Sequence, residues 1–312
     1  MPPPIVQFGW VPPEHRTEEQ TRAADAAIAS MPKFAIKGRQ SFGDKVCLFD
    51  WSKEANGGTH LPCFKQIKGS CVGNGLGMTL WQLAGVQRVK LGELISMLMP
   101  FWLIPYGKSR ELANYRSKGD GSSGATAAAA ARDFGTPPCG MEGMPVPTMI
   151  DGGLSFGGAA EIKYSTWAGI DKRFIEAAKP HLCRTVAPVA NADDVRDAIC
   201  NGHGVTIASS WGGAMKAAVV EGVLLMKHTT RWQHQMCVTG WWNHPKLGEI
   251  FFVQNSWGTV SQLAGVCPSG APLGGWWVTR ADMNLITRDR DSFAFSSFVG
   301  FPAQDMELDC YV

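Results

Sequence analysis

A chain of 312 residues with 45% hydrophobic and 10% aromatic residues can bury one large core or two modest ones. The formal net charge of +2 at pH 7 comes without a run of lysines or arginines, so nucleic acid is not an expected partner. The most apolar stretch, residues 95–107, is interrupted by Pro100 and Pro105 and is shorter than the ~20 residues of a transmembrane helix, so no membrane contact is expected.

The N-terminus and the cysteines indicate the cellular compartment in which the protein is expected. Residues 1–16 have neither the basic start nor the apolar core of a secretory signal. The nine cysteines lack the spacing of a small disulfide scaffold, so free thiols are expected, with a cytoplasmic location or release by lysis. No paired cysteine or histidine spacing of a zinc site is present, and no cofactor is expected.

The first predicted element is a helix near the N-terminus. Residues 1–17 are rich in proline and are predicted to be extended. Thr17, the acidic residues after it and an alanine-rich body predict a helix over about residues 18–31. This arm either covers core or serves as a short regulatory element. Core packing is favoured, because an amphipathic alanine-rich helix most often covers core.

The next predicted helix begins close to Cys71 and contains residues with helical apolar spacing. Four glycines surround this start, at positions 69, 73, 75 and 77. Glycine inside a helix costs roughly 1 kcal/mol relative to alanine, so a neighbouring element is predicted to crowd the helix closely. Further helices are predicted at about 91–114 and from about 125 to 134, followed by a loop over 135–160.

The second half of the chain changes character from helix to strand. A short helix is predicted over 191–200, closed by Gly202. The segments with strand character that follow are GVTIASSW, GVLLM, MCVTGWW, EIFFVQNSW and GGWWVTR. This segregation predicts an α+β protein with an N-terminal arm (1–45), a helix-rich lobe (46–187) and a β-rich lobe (188–312).

Three residues in this pattern are candidates for thiol chemistry. A cysteine nucleophile needs a base within hydrogen-bond reach and a third group to orient that base. His234 opens a predicted strand, and Asn255 ends the next one, where a buried amide needs a hydrogen-bonding partner. The structural alternatives are that Cys71 is a packed core thiol, His234 a strand histidine and Asn255 a turn residue.

The segments around these residues resemble the papain-like cysteine peptidases, in particular a bacterial-type branch. The nucleophile segment is GSCVGNGLG at 69–77, the histidine strand spans 233–242, and the Asn-Ser-Trp-Gly-Thr strand spans 251–259. With weaker similarity elsewhere, the resemblance covers about residues 8 to 286. It implies a two-lobed α+β fold, with a helical lobe, an antiparallel β-barrel-like lobe and an active-site cleft between them.

Residue by residue, the resemblance implies a catalytic apparatus. Cys71 is the implied nucleophile, His234 the general base and acid, and Asn255 the residue that orients the imidazole. Gln66 would stabilise the oxyanion together with the Cys71 backbone N–H, and Trp257 would shield the bond between Asn255 and His234. A helix N-terminus and a neighbouring imidazolium both lower a thiol pKa, which predicts a thiolate at neutral pH.

The resemblance also implies the reaction and its partner. Peptide or protein substrates would be hydrolysed through an acyl-enzyme intermediate on the cysteine. The GSSG segment at 121–124 resembles the segment that offers backbone hydrogen bonds to an extended substrate, so Ser123 and Gly124 are the candidate substrate-binding residues.

The sequence departs from the family pattern at several points. Gln66 lies five residues before Cys71, where the family commonly has six, and Val72 replaces the usual aromatic residue. An insertion at 260–275 is expected to reshape the primed side of the cleft. The shorter loop after Gln66, Val72 and the expected lack of a long pro-segment before Cys71 keep a second function open, in which a catalytically degenerate relative is a binding or structural component of a larger protein assembly. A transglutaminase or amidase is disfavoured by Asn255 and its context.

Overall fold

The structure is a computed structural model, and it describes residues 6–7, 9–34, 43–90, 92, 97–115, 119–214, 216–259 and 268–296. The α-helices of these ranges are α1 (Glu18–Ala29), α2 (Leu48–Ala55), α3 (Cys71–Lys90), α4 (Leu103–Leu112), α5 (Gly124–Asp133), α6 (Gly158–Lys163), α7 (Lys172–Ala178), α8 (Ala192–Cys200) and α9 (Arg280–Thr287). The strands are β1 (Val6–Gln7), β2 (Lys45–Cys47), β3 (Thr148–Ile150), β4 (Gly153–Ser155), β5 (Val186–Pro188), β6 (Gly204–Gly213), β7 (Ala218–Val220), β8 (Val223–Leu225), β9 (His228–His244), β10 (Gly248–Gln254), β11 (Gly275–Thr279) and β12 (Phe293–Phe295).

Helix α3 is buried along most of its length, because its glycines let neighbouring elements approach closely. A Cβ atom on Gly73 or Gly77 would lie 2.5 or 2.6 Å from the ring of Trp102. A Cβ on Gly75 would lie 3.3 Å from the backbone of β9 at Gln235. The predicted crowding of this helix is therefore confirmed, and it brings the N-terminus of α3 directly against the central strand of the sheet.

The predicted N-terminal helix is confirmed as α1. The Thr17 hydroxyl accepts a hydrogen bond from the Gln20 backbone N–H, and the Gln20 side chain accepts one from the Thr17 backbone, which is a capping box. One face of α1 packs against α5, where Ala24 is buried in a core shared with Cys71. The helix itself thus covers core, as favoured from its composition.

Two predictions in the first half were wrong. The helix predicted over 91–114 is confined to α4 within the residues that the structure describes, because Pro100 favours an extended residue before it and forms a bridge to Pro138. The loop predicted over 135–160 contains the hairpin of β3 and β4, whose turn has positive φ values at Asp151 and Gly152.

The large sheet is built around β9. Its strand order is β5-β12-β6-β9-β10-β11-β8-β7, and β1 and β2 also pair with β9. Most pairs are antiparallel, whereas β1 with β9 and β8 with β11 are parallel. The α+β architecture is as predicted, but across the described ranges this path of strands does not close into a barrel.

Three further observations concern membrane-spanning helices, metal-binding groups and the cysteines. None of the described helices is long and apolar enough to cross a membrane. Among the same residues, no group of three His, Cys, Asp or Glu side chains is arranged to hold a metal ion. The seven cysteines that are described carry free thiols. Residues 260–267 of the predicted insertion lie outside the described residues.

Candidate active site

Cys71 is the first residue of α3 and is fully buried. Its sulfur accepts a hydrogen bond from the backbone N–H of Gln235 at 3.3 Å. Gln235 follows His234 in β9, so the nucleophile candidate and the histidine candidate come from neighbouring elements in contact. The Gln235 side chain donates a second bond to the Val72 carbonyl at 3.1 Å, which fixes the start of α3 against β9.

His234 is oriented by an amide and covered by an indole. Its Nε2 lies 2.7 Å from Oδ1 of Asn255, at the end of β10. Since an amide oxygen only accepts, Nε2 carries the hydrogen, and Nδ1 is the nitrogen that could take up a proton. The Asn255 oxygen also accepts from the Ser256 N–H at 2.7 Å. Trp257 stacks on the imidazole with a centroid distance of 4.9 Å and an interplanar angle of 27°.

Gln66 lies in the loop that leads into α3. Its backbone N–H donates to the Ser256 carbonyl at 2.8 Å, and its Oε1 accepts from the Ser256 hydroxyl at 2.6 Å. The amide nitrogen donates to the Lys68 carbonyl at 3.1 Å. Gln66 is thus hydrogen-bonded to Ser256, the residue that follows Asn255. It lies on the same side of the fold as the other candidates.

Ser123 and Gly124 have other partners in this structure. The Ser123 hydroxyl caps α5 by accepting from the Thr126 N–H at 3.3 Å. The Gly124 N–H donates to the carboxylate of Asp291 at 2.8 Å. The residue of this segment that bonds an extended chain is Ser122, whose partner is described next.

The extended chain is the N-terminal segment, residues 6–16, of which position 8 lies outside the described residues. Strand β1 pairs with β9 at Trp232 and Gln233. Further along, the Ser122 N–H donates to the Gly9 carbonyl and the Val11 N–H donates to the Ser122 carbonyl, each at 2.9 Å. The segment therefore bonds to the sheet on one side and to the entry of α5 on the other.

Trp10 is the residue of this segment that lies over the nucleophile candidate. Its backbone N–H acts to lower the pKa of the Cys71 thiol, and its side chain is 1% exposed. The indole N–H donates to Asp291 at 2.6 Å, and the Arg16 guanidinium makes a second 2.6 Å contact with that carboxylate. Asp291 thereby joins the N-terminal segment to the first turn of α5.

Burial controls the charge state of both titratable candidates. It raises the pKa of the Cys71 thiol to about 12, although backbone hydrogen bonds from Gln235 and Trp10 act in the opposite direction. It lowers the pKa of His234 to about 4, against the effect of the bond to Asn255. Both groups are neutral at pH 7 in this arrangement. The predicted thiolate is wrong for the covered site, because desolvation outweighs the helix dipole.

Two residues near the candidate site, Gln235 and Asp291, carry no clear signal in the sequence. Gln235 follows the histidine candidate, and only the contact between α3 and β9 gives it a role. Asp291 stands in a short loop before β12, and its partners Trp10 and Arg16 lie 281 and 275 residues away in sequence. No local pattern marks such a residue, apart from its being an aspartate next to a buried strand.

No family model and no curated protein matches the sequence. Structures of proCathepsin B S9 from Trypanosoma congolense and of xylellain, a cysteine protease from Xylella fastidiosa, do match. The first is 10% identical with a TM-score of 0.55 and covers 94% of this chain and 86% of that one. Xylellain is 14% identical with a TM-score of 0.50 and covers 95% and 94%.

A digestive procathepsin L 3 of Tenebrio molitor is also similar, at 11% identity and a TM-score of 0.51, over 90% of this chain and 79% of that one. This chain has the papain-like fold. Within that fold, the helical part contributes Cys71 at the start of α3, and the sheet contributes His234 on β9 and Asn255 at the end of β10.

Proposed function

We propose that this protein is a papain-like cysteine peptidase that hydrolyses peptide bonds through Cys71, His234 and Asn255. The observation that supports this most is the 2.7 Å bond between His234 and Asn255 beneath Trp257, on a strand whose next N–H contacts the Cys71 sulfur. A free thiol and an imidazole oriented by a third group are what thiol acyl transfer requires.

The proposed reaction has two steps. In the first, Cys71 transfers its proton to His234, and the sulfur attacks the peptide carbonyl carbon. The C–N bond then breaks, and the imidazolium protonates the leaving amine. In the second, His234 takes a proton from water, whose oxygen attacks the thioester and releases the acid and the free thiol. The Gln66 amide and the Cys71 backbone N–H stabilise the oxyanion in both steps.

The N-terminal segment has to leave the cleft for this chemistry to take place. Cys71 and His234 are each fully buried while Trp10 is in position, so a substrate carbonyl has no access to the sulfur. Once water enters, the desolvation that keeps both groups neutral is relieved, and the thiolate–imidazolium pair becomes accessible. We therefore propose that the covered arrangement is inactive and that the uncovered one is the peptidase.

Two further proposals concern the branch of the peptidase family and the cellular compartment. The nucleophile segment around Cys71 resembles that of the bacterial-type branch of these peptidases. The seven free thiols favour a reducing compartment such as the cytoplasm.

A second candidate function is supported by the burial of Cys71. In this alternative the protein is catalytically degenerate and serves as a binding or structural component of a larger assembly. In such a protein the Cys71 thiol would stay covered and unreactive, which agrees with burial raising its pKa to about 12.

Replacing the nucleophile candidate distinguishes the two functions. Cys71→Ala should abolish peptide hydrolysis and covalent labelling by a thiol-directed peptide electrophile, with the fold intact. Cys139→Ala, which removes another buried thiol, is the matched control and should retain both. Peptide cleavage by Cys71→Ala at the wild-type rate would refute the proposed function. A wild-type chain that never cleaves peptides or labels at Cys71 would favour the degenerate component.

A further inference from the structure

The structure contains a buried carboxylate that the proposed reaction leaves unassigned. Glu161 lies in α6 and is 1% exposed. It accepts hydrogen bonds from the Ile67 N–H at 3.1 Å, the Lys68 N–H at 2.9 Å and the Ser70 hydroxyl at 2.6 Å. All three donors belong to the loop between Gln66 and Cys71, some 90 residues earlier in the chain.

The close approach of α6 to this loop is built into the fold. A Cβ atom on Gly158, the first residue of α6, would lie only 3.1 Å from the side chain of Ile67. Burial raises the pKa of Glu161, and the bonds from Ser70, Lys68 and Ile67 act against this by favouring the ionised carboxylate. A buried carboxylate with this set of donors organises the backbone around it, because each donor is fixed in direction by one acceptor.

The loop in turn fixes the oxyanion candidate. The Lys68 carbonyl accepts from the Gln66 side-chain amide at 3.1 Å and from the Ser70 N–H at 2.8 Å. Glu161 accepts a hydrogen bond from the Lys68 N–H and thereby fixes the Lys68 backbone. The Lys68 carbonyl, to which the Gln66 amide donates, is positioned with it. The Ser70 hydroxyl, which donates to Glu161, also accepts from Asn74 at 3.0 Å, within the first turns of α3.

We propose that Glu161 is a positioning residue for the peptidase reaction: it holds the loop 66–70 so that the Gln66 amide and the Cys71 backbone N–H converge on the oxyanion. This inference rests on the proposed function. It gives a physical reason why a loop one residue shorter than the family commonly has can still present Gln66. An oxyanion donor acts only if its direction is fixed before the reaction, and a displacement of about 1 Å costs on the order of 100-fold in rate.

The test compares Glu161→Gln with wild type in two reactions of the full chain. Peptide hydrolysis passes through an oxyanion, whereas alkylation of Cys71 by iodoacetamide does not. Glu161→Gln should lower kcat about 10- to 100-fold with little change in KM, and it should leave the alkylation rate within about twofold. The alkylation rate constant and kcat/KM both contain the opening of the N-terminal segment, so that step cancels when these two quantities are compared. Glu176→Gln, at an exposed glutamate of α7, is the matched control.

Two further variants separate positioning from general stability. Glu161→Asp, which keeps the carboxylate, should restore part of kcat and serves as the test if Glu161→Gln does not fold. In a Gln66→Ala background, Glu161→Gln should cost less than about threefold, because the group through which it acts is already absent.

The outcomes are distinguishable. An unchanged kcat in Glu161→Gln, an equal fall in hydrolysis and alkylation, or the full loss in the Gln66→Ala background would each overturn the positioning role while leaving the peptidase intact. A wild-type chain that neither turns over peptides nor labels at Cys71 would refute the proposed function, and this inference with it.

Discussion

Gly9 is the point at which the N-terminal segment comes closest to the nucleophile loop. Its φ is +111°, and a Cβ atom built on it would lie 1.8 Å from the carbonyl oxygen of Gly69. Both the positive φ and the short distance to Gly69 disfavour any side chain at position 9. Gly9→Ala is therefore the smallest change that should lift the segment from the cleft without making a cavity in the core.

The size of the effect follows from these contacts. An alanine in such a conformation costs about 1–3 kcal/mol. The overlap with Gly69 can be relieved only by moving backbone, which breaks the two hydrogen bonds between the segment and Ser122, worth about 1 kcal/mol each. Together these destabilise the covered arrangement by about 3–5 kcal/mol. Opening should become roughly 10²- to 10⁴-fold more frequent, at about 1.4 kcal/mol per factor of ten.

The assay is the rate of Cys71 alkylation in native buffer, followed by mass spectrometry. Gly222→Ala is the matched control, since Gly222 has a φ of +81° with nothing within 4 Å of a Cβ atom. Labelling of Cys183, which is buried and donates to the Ser296 carbonyl at 3.0 Å, reports global unfolding in the same samples. If Gly9→Ala labels Cys71 no faster than Gly222→Ala does, the segment is not what protects the thiol.

Three other predictions address the same site. Asp291→Asn removes the ion pair with the N-terminal segment, so it should lower the free energy of unfolding by about 3 kcal/mol and accelerate Cys71 labelling; an unchanged melting temperature and labelling rate would be inconsistent with this. Asn255→Ala removes the bond to His234 and should lower kcat/KM about 3- to 10-fold in steady-state peptide hydrolysis; full activity would exclude an orienting role. The pH dependence follows from the lowered pKa of His234: the covered arrangement is fully stabilised above pH 6.5 and loses stability as the pH falls towards 4, by at most about 1.4 kcal/mol per pH unit. Hydrogen exchange of the segment amides, corrected for intrinsic rates, should accelerate below pH 6.5, and a flat profile down to pH 4.5 would contradict this.

The sequence predicted the elements that carry the candidate site, because those elements have local signals. The strand segment from His234 was predicted from its apolar residues, although β9 begins at His228 and His234 lies within it rather than opening it, and the glycines after Cys71 indicated a crowded helix. Both features depend on residues close together in the chain. The predicted helix over 91–114 failed at Pro100, since apolar spacing was given more weight than the effect of a proline on the residue before it.

The covered state could not be predicted from the sequence. The N-terminal segment has no hydrophobic period, and its position depends on contacts of Gly9 with Gly69 and of Trp10 with Asp291, which are far apart in the chain. The charge state of Cys71 was missed for the same reason. A helix N-terminus and a nearby histidine predict a thiolate only if water reaches the sulfur, and the chain itself excludes that water.

The proposed mechanism requires the Cys71 sulfur to become covalently attached to the acyl part of the substrate. The most direct measurement is intact-mass and peptide-level mass spectrometry of the chain, quenched with acid during turnover of a slowly deacylating peptide ester. The account predicts one acyl group, located on Cys71, that is absent from Cys71→Ala and forms more slowly in His234→Ala. Turnover without an adduct, or an adduct on another cysteine such as Cys63, would contradict it.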